Sequence, residues 1–111
     1  MAPRFSRLII DAAKLQDYCL SESHPRGRHK ARVFRSRLGL VATHAPVLRE
    51  ALDRAVRGRA DEMRETVVDD HGRRYVLDFS MTTERGTAII RPVWILRTGQ
   101  DVLSLITCYV L

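Results

Sequence analysis

The segment Arg73-Arg-Tyr-Val-Leu-Asp-Phe-Ser-Met-Thr82 is the strongest strand signal in the chain. Its side chains alternate along the segment, with Tyr75, Leu77, Phe79 and Met81 on one side and Arg74, Val76, Asp78 and Ser80 on the other. Because successive side chains of a strand point to opposite faces, this pattern predicts a strand with one buried face.

Similar segments surround this one, and turn residues separate them. The candidate strands are Arg64–Asp69, Arg73–Thr82, Thr87–Arg97 and Leu105–Leu111. The intervening turns contain Gly72, Gly86 and Gly99. Connections this short predict a four-stranded antiparallel meander. Pro92 has no N–H to donate to a sheet, so we expect it at an edge position or at a bulge in the third strand.

The residues before about Asp61 show helical rather than strand spacing. Asp11 is placed to cap a first helix whose apolar stripe is Ala12, Leu15, Tyr18 and Cys19. A second helix is expected from about Arg28 to Leu38, with Gly39 ending it. A third follows a cap at Thr43 or His44, with Pro46 in its first turn. We therefore predict a single α+β domain over residues 1–111, with N-terminal helices packed on one face of the meander.

Alternation also predicts which strand residues share a face. Ala88, Ile90, Trp94 and Leu96 are expected to face the core from the third strand, and Ile106, Cys108 and Val110 from the last. The opposite face would then gather Asp78, Arg91, Thr107 and Tyr109. A bulge at Pro92 would shift this register.

Charge is concentrated in the second helix and the turn before it. The 111-residue chain has a net charge of +6 and a pI near 10.1, and no acidic residue lies between Glu22 and Glu50. Such clustering favours a polyanionic partner, above all RNA, although a merely solvated basic surface is the alternative. The candidate nucleic-acid-binding residues are Arg26, Arg28, Arg32 and Arg35.

The same segment holds groups suited to cleaving RNA without a metal or cofactor. That reaction needs a base for the 2′-hydroxyl, cations around the phosphorane and an acid for the 5′-oxygen. The candidate catalytic residues are His24, Lys30, Arg91, Thr107 and Tyr109. Structural roles compete for several of them: His24 precedes Pro25 and can shape the turn, and Arg91 can form an ion pair with Asp78.

Other functional classes find little support in the sequence. Cys19 and Cys108 are too few for a disulfide scaffold, lack metal-ligand spacing and are expected to be buried thiols. No metal site, signal peptide or membrane-spanning stretch is recognisable, so we expect a cytoplasmic protein that does not bind a membrane.

The run Ser23-His-Pro-Arg-Gly-Arg-His-Lys-Ala31, with Val93-Trp94-Ile95 and Thr107-Cys108-Tyr109 later on, resembles a bacterial family known only as a domain of unknown function. Its most specific element is His-Pro-x-Gly-Arg-x-Lys-Ala, which begins at His24. The order of helices and strands, ending in Thr-x-Tyr, in turn resembles ribonuclease toxins of the barnase–EndoU–colicin–RelE class. This second resemblance implies that His24 and Lys30 match a helix-borne catalytic pair, and that Arg91, Thr107 and Tyr109 match groups of the sheet.

We therefore expect a toxin-like, metal-independent endoribonuclease that leaves a 2′,3′-cyclic phosphate. A small acidic antitoxin-like protein would be its second partner. The first alternative is a nucleic-acid-binding module without catalysis, which needs only the arginines. The second is a protein-interaction domain whose basic face meets an acidic partner. His24 suits the role of base as well as that of acid.

Overall fold

A computed structural model describes residues 2–111 and shows a mixed α+β architecture. The helical half consists of α1 (Ala12–Lys14), a π-helical turn (Leu15–Cys19), α2 (Arg28–Leu38), a 3₁₀ turn (Ala42–His44), α3 (Ala45–Arg59) and a second 3₁₀ turn (Ala60–Glu62). The strands are β1 (Arg7–Ile9), β2 (Arg64–Asp69), β3 (Gly72–Val76), β4 (Phe79–Thr83), β5 (Gly86–Arg97) and β6 (Val102–Val110).

All six strands form one sheet, in the order β1-β6-β5-β3-β2, with β4 also paired to β5. The predicted four-stranded antiparallel meander is therefore wrong in strand number and direction, because β1 pairs with β6 in parallel. With only three residues, β1 is too short to show alternation. The predicted strand Arg73–Thr82 is also two strands, since β3 ends at Val76 and β4 begins at Phe79.

Pro92 lies in the centre of the sheet, so the edge position expected for it is wrong. On one side of β5, β3 pairs with Val93–Arg97 and β4 pairs with the residues from Gly86 to Ile90. Pro92 therefore faces the break between β3 and β4, where no ladder hydrogen bond is required of it. A bulge lies next to Pro92, but not in the third strand as expected: Val93 pairs with Thr107 and Trp94 with Leu105, so the extra residue is Ile106 of β6.

The second and third helices form where their sequence signals place them. In α2 the buried residues are Ala31, Phe34 and Leu38, and Gly39 ends the helix in the left-handed conformation at φ 70°. In α3 the buried residues are Ala45, Leu48, Leu52 and Val56, with Pro46 in the first turn. The Asp11 carboxylate caps α1 by accepting the N–H of Ala13 at 2.9 Å. The expected first helix is nonetheless a single α turn followed by the π turn.

The faces of β5 agree with the alternation, whereas those of β6 agree only in part. Ala88, Ile90 and Trp94 are buried as predicted, and Leu96 is half-buried against the core. In β6 Cys108 is fully buried, Val110 is half-buried against the core, and the first half of the strand buries Leu103 and Leu105. The expectation that Ile106 faces the core is wrong, since it is half-buried and lies outside the core cluster. The β5–β6 bulge changes which side chains face the helices.

Candidate functional site

His24 closes the turn that leads into α2. Its Nδ1 atom accepts the backbone N–H groups of Arg26 at 3.0 Å and Gly27 at 3.1 Å. An imidazole nitrogen that accepts hydrogen bonds carries no proton, so the neutral ring has its proton on Nε2. The ring also stands edge-on to Tyr18, with centroids 4.6 Å apart. The turn is therefore built around one tautomer of His24.

Gly27 is required by the close packing of this turn against the π turn. A Cβ atom at position 27 would lie 2.3 Å from the carbonyl oxygen of Tyr18. Because that oxygen belongs to the backbone, it cannot swing away as a flexible side chain can. Close packing thus explains why the His-Pro-x-Gly element has glycine at position 27. The same packing fixes the distance between α2 and the residues that precede α2.

Lys30 and Tyr109 bring α2 and the last strand together. The Lys30 Nζ atom lies 4.8 Å from the centroid of the Tyr109 ring, in a cation–π contact. Tyr109 stands directly opposite Arg91 in the β5–β6 ladder, so the two side chains share one face. All three side chains are half-buried. Lys30 and Arg91 therefore both lie beside Tyr109, Lys30 over its ring and Arg91 opposite it in the ladder.

Arg91 is already engaged by a carboxylate. Its Nε and Nη2 atoms each donate to Asp78 at 2.7 Å, and Arg64 approaches the same carboxylate at 3.6 Å. The hydrogen bonds from Arg91 lower the pKa of Asp78. Asp78, with a smaller contribution from Tyr109, raises the pKa of Arg91. The structural alternative for Arg91, an ion pair with Asp78, is thus present, and the two N–H donors of Nη1 and one of Nη2 are left for another ligand.

Thr107 contacts the thiol of Cys19, a connection that the sequence did not predict. Its Oγ1 atom lies 3.9 Å from the Sγ atom of Cys19. Cys19 and Cys108 are both free and fully buried, as expected of core thiols. The hydrogen bond from Cys108 lowers the pKa of Cys19 to about 6, with smaller help from Thr107 and Lys30. The pKa of Cys108 is raised, because a Cys19 thiolate and burial both disfavour a second negative charge.

The candidate RNA-binding arginines lie on the solvent side of α2 and its preceding turn. Arg26, Arg28 and Arg32 are exposed, and within residues 2–111 none of them forms an ion pair. Arg35 differs, because its Nη1 atom donates to both oxygens of Glu22 at 3.1 and 3.2 Å. Three of the four predicted arginines are therefore free to meet an anion.

The predicted catalytic residues do not all converge. No hydrogen bond among residues 2–111 joins His24 to Lys30, Arg91, Thr107 or Tyr109. His24 instead belongs to the turn, Thr107 to the thiol pair, and the other three to the cluster at the end of β6. In the described part of the chain, no three His, Cys, Asp or Glu side chains are grouped so that they could hold a metal ion.

Comparison with family models matches residues 2–111 to the domain of unknown function DUF6883. The chain belongs to the DUF6883 family. The sequence-based assignment to an uncharacterised family is thereby confirmed. A search of curated proteins and a search of solved structures each gave no match for this DUF6883 domain. Among residues 2–111, no helix is both long enough and apolar enough to cross a membrane.

Proposed function

We propose that this protein binds RNA through the exposed side of α2 and the turn before it. One observation carries the proposal: Arg26, Arg28 and Arg32 are exposed and have no carboxylate partner within residues 2–111. Unpaired cations this close together repel one another, and a phosphate backbone removes that repulsion while releasing its own counterions. The net charge of +6 adds long-range attraction for any polyanion.

Binding is tested by fluorescence anisotropy with a labelled single-stranded RNA over a series of salt concentrations. The variant R28A/R32A removes two unpaired arginines. The matched control R54A/R57A removes two equally exposed arginines that are held by Glu50 and Asp53. We expect the α2 variant to bind about tenfold more weakly and to reduce the salt slope by roughly 1.4, which corresponds to two lost phosphate contacts. Equal losses in both variants would show that only total charge matters.

We propose as a second candidate that the bound RNA is also cleaved without a metal. The grouping of Lys30, Tyr109 and Arg91 supports it, because the ammonium group and the free Nη1 of Arg91 suit a phosphorane. In this mechanism a water molecule takes the proton of the 2′-hydroxyl, the 2′-oxygen attacks phosphorus, and the bond to the 5′-oxygen breaks. The Tyr109 hydroxyl protonates that oxygen and regains its proton from water, and Thr107 orients the phosphate. The products are a 2′,3′-cyclic phosphate and a 5′-hydroxyl.

His24 has a narrower role in this mechanism than a general base. To accept a proton at Nε2, the ring would have to be protonated at Nδ1 instead, and the hydrogen bonds to Arg26 and Gly27 would be lost. The observed tautomer instead offers Nε2–H as a donor to a phosphate oxygen. We therefore assign two roles to His24: it positions the turn, and it donates a hydrogen bond. We assign the proton transfers to other groups.

Cleavage is tested by incubating labelled RNA with the protein in a chelator and identifying the product ends. We expect a 2′,3′-cyclic phosphate, and loss of cleavage in K30Q and Y109F with RNA binding retained. A product with a 5′-phosphate would rule out the mechanism. Intact RNA that is nevertheless bound would leave the binding function alone. An acidic neutralising protein would use the same arginines, so its addition should displace RNA from the wild-type protein.

A further inference from the structure

A shallow groove of about 330 Å³ lies between α2 and the turn that joins β4 to β5. It is lined by Glu22, Arg32, Arg35, Ser36 and Arg85. Three guanidinium groups and one hydroxyl thus surround the groove, and all of them can donate hydrogen bonds to an anion. Arg85 comes from the strand half of the chain, far from the basic segment that the sequence highlights.

The charges in the groove are unequally compensated. Glu22 is bound to the Nη1 atom of Arg35, so these two side chains largely neutralise each other. Arg32 and Arg85 are both exposed, and neither forms an ion pair within the part of the chain that the structure describes. The groove therefore keeps two uncompensated positive charges, one on each wall.

The turn that carries Arg85 is attached to the end of α2. The Thr83 hydroxyl donates to the carbonyl oxygen of Leu38 at 2.7 Å, and the Arg85 N–H donates to the same hydroxyl at 3.2 Å. Gly39 follows, and a Cβ atom placed on it would lie 3.5 Å from the Cβ atom of Arg85. These contacts hold the backbone of Arg85 at a set distance from α2, so that the groove is formed before any ligand enters.

We propose that this groove binds one phosphate of an RNA backbone, held between Arg32 and Arg85 with the Ser36 hydroxyl as a further donor. Arginine suits this task because its guanidinium can present two parallel donors to one phosphate. The proposal rests on the RNA binding proposed above and extends it. A bound strand would run along α2 and then pass over the β4–β5 turn, rather than remain on the helix alone.

The test compares R85A with R97A in the anisotropy titration described above. Arg97 is also exposed and without an ion pair in residues 2–111, but it lies at the far end of β5. Each variant removes one positive charge, and R85A keeps the Cβ atom that faces Gly39. We expect R85A to weaken RNA binding about fivefold and to reduce the salt slope by roughly 0.7, the value for one phosphate contact on a single strand. R97A should stay within twofold of wild type.

A double variant then asks whether both arginines hold the same phosphate. If they do, R32A/R85A should lose less affinity than the product of the two single losses, because either substitution already disrupts the shared contact. Wild-type binding by R85A, with weak binding by R28A/R32A, would overturn the groove and leave the proposed function standing. Equal losses in R85A and R97A would also overturn it, as a long-range charge effect. Wild-type binding by R28A/R32A would instead remove the proposed function itself.

Discussion

Helices α2 and α3 each contain four arginines, but they use them in opposite ways. Every arginine of α3 has an acceptor: Arg49 donates to the carbonyl oxygen of Ile10, Arg54 to Glu50, Arg57 to Asp53 and Arg59 to Glu62. In α2 only Arg35 has a side-chain acceptor among residues 2–111, namely Glu22. Equal numbers of arginines therefore leave every arginine of α3 hydrogen-bonded within the protein and most arginines of α2 open to an anion.

The difference has an energetic meaning. Pairs such as Arg54 with Glu50, one turn apart on a helix surface, stabilise a helix by roughly 0.3–0.5 kcal/mol each. Like charges at the same spacing, such as Arg28 and Arg32, destabilise it by similar amounts. Repulsion between these arginines thus destabilises α2 slightly, and no ion pair of Arg28 or Arg32 within residues 2–111 offsets this effect. Cationic surfaces that are not neutralised internally are better explained by a ligand than by the fold.

The largest effect that we predict contrasts glycines in the two helical regions. Alanine at Gly27 would place its Cβ atom 2.3 Å from the Tyr18 carbonyl oxygen, whereas Gly58 in α3 has no atom within 4 Å of that position. We expect G27A to lower the free energy of unfolding by at least about 2 kcal/mol, because the backbone must move. We expect G58A to raise it by about 0.5–1 kcal/mol, since alanine is the better helix former.

Chemical denaturation of both variants measures the two changes directly. Opposite signs from the same substitution would show that the start of α2 is sterically fixed and the end of α3 is not. If G27A were as stable as wild type, the close contact between the turn and the π turn would be wrong. The turn before α2, which carries part of the proposed RNA site, would then not be held rigidly against the π turn.

A second effect concerns pH and arises beneath α2, where Lys30 lies near Cys19. The pKa of Cys19 is about 6 in the folded protein, against an ordinary value of 9. A lowered pKa adds stability that is complete above pH 9 and is lost as the pH falls towards 6, by at most roughly 1.4 kcal/mol per unit. The raised pKa of Cys108 acts in the opposite direction above pH 9.

The variant C19A removes this contribution, because alanine does not titrate, and it also removes the main cause of the raised pKa of Cys108. We expect the difference in unfolding free energy between wild type and C19A to grow from pH 6 to pH 9, and then to fall as the raised pKa of Cys108 destabilises the wild type. Denaturation curves at four pH values under reducing conditions provide the measurement. A constant difference over this range would mean that the thiol of Cys19 stays protonated in the folded state.

A third prediction concerns α3, whose arginines can be freed from their carboxylate partners so that they resemble the unpaired arginines of α2. The variant E50Q/D53N removes both carboxylates that hold Arg54 and Arg57. We expect the freed arginines to raise RNA affinity by about threefold to fivefold, because they become available to phosphates. The control D17N/D70N changes the net charge equally without freeing an arginine of α3. Equal gains from both variants would remove the distinction between paired and unpaired arginines.

The sequence predicts the helices better than the sheet, for physical reasons. Periodic apolar residues, together with Gly39 and Pro46, locate α2 and α3, since such signals act within a few residues. The alternation in Arg73–Thr82 continues across the break at Leu77-Asp78, so nothing local separates β3 from β4. The partner of β1 lies at the other end of the chain. Only packing over long distances decides such features.

The same contrast holds for the candidate site, where local sequence patterns predict some contacts and not others. Alternation suffices to place Arg91 and Tyr109 on one face and to suggest Asp78 as an ion-pair partner of Arg91, whereas no local pattern places Lys30 beside Tyr109. Neither pattern connects Cys19 with the last strand, because Thr107 is 88 residues away from it. Arg85 escapes notice for a related reason: it reads as a turn residue until the fold places it beside α2.

The smallest effect concerns His24, which holds the turn before α2. Asparagine carries its oxygen one bond beyond Cγ, as histidine carries Nδ1, so H24N can accept the same two N–H groups. We expect H24A to cost about 1 kcal/mol of stability, which is typical of a lost helix cap, and H24N to cost much less. RNA binding should follow stability in both variants.

The same variants test the role of His24 in cleavage. If His24 acts by positioning the turn, H24N should retain part of the cleavage activity. Complete loss of cleavage in an H24N protein that still folds and binds RNA would show that the imidazole itself takes part in the chemistry. Thermal denaturation beside the cleavage assay therefore separates the two roles, which the structure joins in one side chain.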